Sequence, residues 1–162
     1  MNLLVPTDFT PGSLKLAENA VRHENDNRFN IILFHAFELP SSPFDLLAND
    51  ACDPSASLLT EEFRQACKQL KNQYPRQIGK IMVKCMHGHT NALFHNFIDA
   101  NDIDLIGCPE EYVFVRIHKR SLDPRPLFRN CGIPVLRSAI RRREPVFGIE
   151  REITSHLQLS TN

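Results

Sequence analysis

The chain has 162 residues, 42% of them hydrophobic and 23% charged, with 19 Lys and Arg balancing 19 Asp and Glu. That length suits one domain with a sizeable core and leaves little room for a second. No apolar run approaches the ~18 residues of a membrane span, the opening Met1-Asn2-Leu3-Leu4-Val5-Pro6 is too short for a signal peptide, and five scattered cysteines make no disulfide framework. The expectation is a cytoplasmic protein with free thiols.

Residues 2–6 form a short apolar run closed by a proline, as in a buried strand. The turn cluster Thr7-Asp8-Phe9-Thr10-Pro11-Gly12 follows and offers Thr10 as a helix N-cap. Leu14, Ala17, Ala20 and Val21 then recur at helical spacing, with Lys15, Glu18 and Arg22 on the outer face. Residues 29–37 (F-N-I-I-L-F-H-A-F) are too uniformly apolar for a half-exposed strand and predict a central one. Residues 38–57 carry Pro40, Pro43 and Pro54 and predict a loop. Residues 58–74 predict a helix with Leu59, Phe63, Ala66, Leu70 and Tyr74 on one face and Pro75 as its stop.

A strand follows over residues 78–86, where Ile81, Val83 and Cys85 alternate with Lys80, Met82 and Lys84. Ala92, Leu93, Phe97 and Ile98 mark a helix after Thr90-Asn91. Residues 103–108 predict a fourth strand, residues 122–130 a short helix and residues 132–136 a last strand, with Pro134 suited to a sheet edge. Strand and helix alternate four times before that last strand. Such alternation implies parallel strands, right-handed crossovers and helices on both faces. The predicted architecture is an α/β doubly wound five-stranded parallel sheet, a flavodoxin- or Rossmann-like three-layer sandwich.

The zero net charge hides an asymmetry. Between residues 116 and 143 nine Lys and Arg meet the single acid Asp123, leaving ten of the 19 bases and eighteen of the 19 acids to the rest. Beyond residue 137 the chain turns polar and basic, so the predicted organisation is a domain over 1–137 and a basic tail over 138–162 that frays or docks on a partner subunit.

In open parallel sheets, ligands bind beyond the carboxyl ends of the strands, where strand order reverses. Asp8, directly after the first strand, suits a sugar hydroxyl, a base or a metal, or else the capping of nearby backbone amides. Leu3-Leu4-Val5-Pro6-Thr7-Asp8-Phe9-Thr10 resembles the opening of universal stress proteins. Residues 31–37, with their histidine near the end, are similar to the second strand of that family, residues 102–106 to its fourth and residues 131–136 to its last. The resemblance spans residues 1–137 and implies a five-stranded parallel sheet, a homodimer joined through the last strand and, in many members, a site for ATP. The matching positions are Pro6, Thr7 and Asp8, with Ala36 at the adenine edge.

The family's phosphate loop is Gly-x2-Gly-x9-Gly followed by Ser, Thr or Asn, and its glycines let main-chain amides approach phosphates. Counted from Gly107, this sequence has Glu110, Arg120 and Ser121 at those places; aligned through residues 104–106 it has Pro109, Tyr112 and Leu122-Asp123. Either register loses the glycines and brings Glu110 and Glu111 toward a negative ligand. One carboxylate about 5 Å from a phosphate charge opposes it by roughly 3 kcal/mol at an effective dielectric near 20. ATP binding in the family's usual way is therefore expected to be weak or absent.

No metal site is expected, because His87 and His89 lie two apart in a loop and, with Cys85 and His95, complete no four-ligand pattern. His35 is expected in the core or at a dimer contact, and Cys108 as a buried thiol. No nucleophile, base and orienting acid assemble from local signals, so no catalytic residue is assigned. The expected function is that of a non-catalytic stress-response or signalling domain with a degenerate nucleotide site, acting by dimerisation and by ligand or partner binding. No cofactor is expected, and no membrane. The alternative is an adenine-nucleotide binder and slow hydrolase, with ATP on Pro6, Thr7, Asp8, Ala36, Gly107, Arg120 and Ser121 and with the bases of residues 116–120 replacing the glycines. Nucleic-acid binding through the arginines of residues 116–143 ranks last, since no aromatic platform is interleaved with them.

Overall fold

A computed structural model describes residues 1–23, 26–47 and 53–137. Strand β1 (Asn2–Pro6) leads through a single 3-10 turn (Pro11–Ser13) into α1 (Leu14–His23). Strand β2 (Phe29–Phe37) is followed by two short helices, α2 (Pro43–Leu47) and α3 (Ser55–Leu58), and then by α4 (Glu61–Gln73). Next come β3 (Ile78–His87), α5 (Asn91–Ala100), β4 (Leu105–Gly107), β5 (Ser121–Leu122), α6 (Arg125–Phe128) and β6 (Val135–Leu136).

Five of the strands lie parallel in the order β3-β2-β1-β4-β6, and β5 adds an antiparallel pairing to β2. The order reverses between β1 and β4, the two neighbours that are not joined by one crossover. β2 carries the longest pairing, with β1 on one side and β3 on the other, which explains its lack of a polar alternation.

The period of two splits the inner strands between the two faces. Leu3, Val5, Ile31 and Leu33 pack with Leu14, Ala17 and Val21 of α1 and Phe63 and Leu70 of α4. Leu4, Ile32, Phe34 and Ala36 point the other way, against Phe94 and Ile98 of α5 and Leu127 and Phe128 of α6. Three layers and a doubly wound sheet result. Phe34, wholly buried, stands 5.0 Å from the ring centre of Phe97 and 5.6 Å from that of Phe94, and each such ring contributes about 1.5–3 kcal/mol by its burial.

The structure corrects several local expectations. The predicted loop over residues 38–57 holds α2 and most of α3. The helix predicted over 58–74 starts at Glu61, because Thr60 is extended and its hydroxyl accepts the Phe63 N–H. Thr10 precedes the 3-10 turn but makes no side-chain cap; its hydroxyl donates to Asp8. The fourth strand shrinks to Leu105–Gly107, since Asp102 takes a φ of 48° and the Ile103 N–H returns to the Ile98 carbonyl. The expected basic tail, 138–162, lies outside the described residues, as does Cys52.

Candidate functional site

The loop leaving β1 is held from below. The Thr7 N–H donates to the Phe34 carbonyl at 2.9 Å, continuing the ladder for one residue. Ser13 Oγ donates its proton to the Thr10 carbonyl, so Thr7 Oγ1 is the donor in its 2.8 Å contact with Ser13, and it accepts the Phe9 N–H at 3.1 Å. Phe9 has a φ of 59°, a left-handed conformation that costs a bulky residue free energy. Its ring offsets that by packing between His35 and Phe63, at 5.3 and 6.0 Å. This bend turns Asp8 toward the cleft, where Oδ1 accepts both the backbone N–H and the hydroxyl of Thr10.

A second constellation closes the carboxyl end of β2. His35 is 4% exposed and Ser121 fully buried. His35 Nδ1 lies 2.7 Å from the Thr7 carbonyl, which only accepts, so Nδ1 carries the proton. In neutral histidine Nε2 is then an acceptor, and it receives the Ser121 hydroxyl at 2.9 Å. Ser121 Oγ in turn accepts the His118 N–H at 3.2 Å, and the Glu38 N–H donates to the Arg120 carbonyl at 2.7 Å. Burial holds the His35 pKa below its ordinary value, against the opposing pull of the Thr7 hydrogen bond and the Asp8 charge. The neutral form that the hydrogen bonds require is the form that burial favours.

A cavity of about 430 Å³ opens beside these elements at the β1–β4 reversal. Its wall comprises Asp8, Thr10, Gly12 and Ser13, the α1 residues Leu16, Asn19 and Ala20, then Gly107, Pro109, Glu111, Tyr112, Val113 and Leu136. Of the sequence-predicted residues, Asp8 and Gly107 line it. Pro6 and Thr7 are buried beneath the loop, and Ala36 pairs with Leu122 inside the sheet. Arg120 and Ser121 are buried outside the cavity wall. No Lys or Arg stands in the described wall. Three arginines, Arg125, Arg129 and Arg137, flank a smaller hollow of about 280 Å³ with Cys108, Pro109 and Glu110, and Arg125 is tied to Asp123 at 2.5 Å.

The sequence pointed to Asp8 and Gly107 through their places at strand ends. It gave no pointer to Leu16 and Asn19, and it placed Ala20 only on the apolar face of a helix. Cys67, Cys85 and Cys108 are free thiols that burial pushes up to about 11, so they are protonated and poor nucleophiles near neutral pH. His87 stacks on Phe37 at 5.7 Å and reaches Asp53 at 3.9 Å. Among the described residues no three His, Cys, Asp or Glu gather as metal ligands.

No protein family's sequence profile matches the chain, and no curated protein is similar in sequence. Similarity appears in the fold. A crystallised universal stress protein in complex with cAMP superposes with a TM-score of 0.51 at 18% identity, over 84% of this chain and 94% of that one. The hypothetical proteins PH0823 and MJ0577 each give 0.51 at 14% identity, over 83% of this chain and 92% of theirs. The chain has the universal stress protein fold. Of the residues that carry the sequence resemblance, 3–6 fall on β1, 31–37 on β2, 105–106 on β4 and 135–136 on β6, and the others on the turns beside those strands.

Proposed function

We propose that the protein is a non-catalytic domain of the universal stress protein type, cytoplasmic and dimeric, that works by binding a small ligand or a partner and whose nucleotide site no longer suits a triphosphate. One observation carries the reading. The segment in the position of the family's phosphate loop folds back on the sheet: Leu122 pairs with Ala36, Ser121 with Phe37, and the Ser121 hydroxyl donates to His35. At residues 120–122 the main chain is thereby engaged within the protein, the Arg120 carbonyl accepting the Glu38 N–H and the Ser121 N–H donating to the His118 carbonyl, instead of being presented to phosphates.

Charge supports the same conclusion. Asp8 and Glu111 line the neighbouring cavity, and each would oppose a phosphate charge at about 5 Å by roughly 3 kcal/mol at an effective dielectric near 20. Dimerisation through the last strand fits the position of β6, which pairs with β4 and forms an end of the sheet. Among the described residues no helix is long and apolar enough to cross a membrane.

A second reading is favoured by the cAMP complex of the universal stress protein that shares this fold. A cyclic monophosphate carries a single negative charge, so it meets less repulsion from Asp8 and Glu111 than ATP does. Calorimetric titration with Mg-ATP and separately with cAMP tests both readings. No saturable heat with ATP up to millimolar concentration is expected. Micromolar ATP binding that Asp8→Ala abolishes would overturn the proposal, and cAMP binding alone would establish the second reading.

A further inference from the structure

The cavity at the β1–β4 reversal has the chemistry of a site for an organic cation. Its described wall is largely apolar, from Leu16, Ala20, Pro109, Val113 and Leu136, with Tyr112 beside them. Its ionisable groups are the two acids Asp8 and Glu111 together with the Tyr112 phenol. The phenol stays protonated, because burial and the nearby negative charges, Asp8 among them, raise its pKa. Asp8 spends Oδ1 on Thr10, while its charge stays uncompensated by any Lys or Arg of the described wall. An open, mainly apolar cleft of about 430 Å³ falls in the range that accommodates small organic ligands. Carboxylates in such a wall favour a positive guest.

We infer that this cavity binds a monocationic organic amine with an apolar body, the ammonium directed to Asp8 and Glu111 and the body held by Leu16, Ala20 and Tyr112. The inference rests on the reading that the site has given up triphosphate, and it names the ligand class that replaces it. An anion is rejected by the same two carboxylates. A neutral guest of equal shape gains the apolar contacts but no charge attraction.

The test uses three molecules on one skeleton: tryptamine, its neutral alcohol tryptophol, and the anion indole-3-propionate. Each is titrated into the full chain at pH 7.5 and followed by calorimetry and by backbone amide shifts. Tryptamine is expected to bind saturably at millimolar concentration or below, at least tenfold tighter than tryptophol. Indole-3-propionate is expected to bind more weakly still, with shifts centred on residues 8–20 and 107–113. Asp8→Asn and Glu111→Gln should each weaken tryptamine several-fold and leave tryptophol unchanged, while Ala20→Leu, which fills the cavity, should weaken all three. Equal or tighter binding of tryptophol or the propionate would overturn the inference. So would the absence of tryptamine saturation at 10 mM, or tryptamine affinity indifferent to both acid variants. Since ATP is titrated separately, a failure here with ATP still excluded sinks the amine and leaves the triphosphate reading standing.

Discussion

Ser121→Ala removes one oxygen from the place where the returning segment meets the sheet, and its consequences can be worked from the hydrogen bonds. His35 Nε2 loses its donor while 4% exposed, and an unsatisfied buried acceptor costs about 1–3 kcal/mol. The His118 N–H also loses its acceptor, but His118 is half-buried and water can replace the serine there. The net loss should be about 2 kcal/mol, read as a lower urea midpoint at pH 7.5 with an unchanged slope. Amide exchange over residues 118–122 should accelerate in the same variant, because the segment loses the bond that seats it. A destabilisation below about 0.5 kcal/mol, with exchange unchanged, would refute the reasoning.

The pH dependence carries a sign that a second variant, His35→Gln, can check. His35 has a folded pKa below its unfolded value, chiefly through burial, so the unfolded chain binds more protons as pH falls past the ordinary histidine range. Stability linked to neutral His35 is therefore complete above that range and lost as pH drops toward the folded pKa. The Asp8 charge and the Thr7 hydrogen bond moderate the shift, and His118 reinforces it. His35→Gln should flatten the decline in urea midpoint between pH 7 and 5; an unaltered slope would assign the effect to other groups.

Further outcomes follow from packing and local geometry. Phe63→Ala, at a wholly buried ring against Phe9, should cost about 3–5 kcal/mol by calorimetry or urea unfolding. Gly88→Ala should destabilise by more than about 1 kcal/mol, since Gly88 has a φ of 126° and an added Cβ would stand 2.6 Å from Leu93 Cδ2. In a Cys52→Ser variant, Cys67, Cys85 and Cys108 should react with a disulfide reagent at pH 7.5 far more slowly than in urea, as burial pushes each thiol up to about 11. Rates equal in the two conditions would contradict their protection.

The legibility of the fold follows the length of each pattern. β1 and β2 were readable to the residue because dominantly apolar runs end in Pro6 and in Phe37. α5 was readable because Thr90 stands immediately before helical apolar spacing and does cap it, whereas the cap at Thr60 went unread and α4 was expected to begin at residue 58. β5 was not, since two residues carry no period and their pairing depends on a histidine 86 positions earlier. α2 and α3 were lost among prolines, although Pro43 at the first position of a helix is a favourable place for one. The site divides in the same way: Asp8 and Gly107 announce themselves at strand ends, whereas the cavity wall draws on α1, on the segment after β4 and on β6, and exists only once the sheet brings them together.

The amides of Ser121 and Leu122 report most directly on the claim that the returning segment has taken the place of phosphate contacts. Followed by nitrogen–proton correlation spectra during a titration with Mg-ATP, they should hold their positions to millimolar nucleotide, together with the amides of residues 107–112. Saturable micromolar shifts across 107–122 would mean that the segment leaves β2 to cradle the triphosphate, and the account would be wrong.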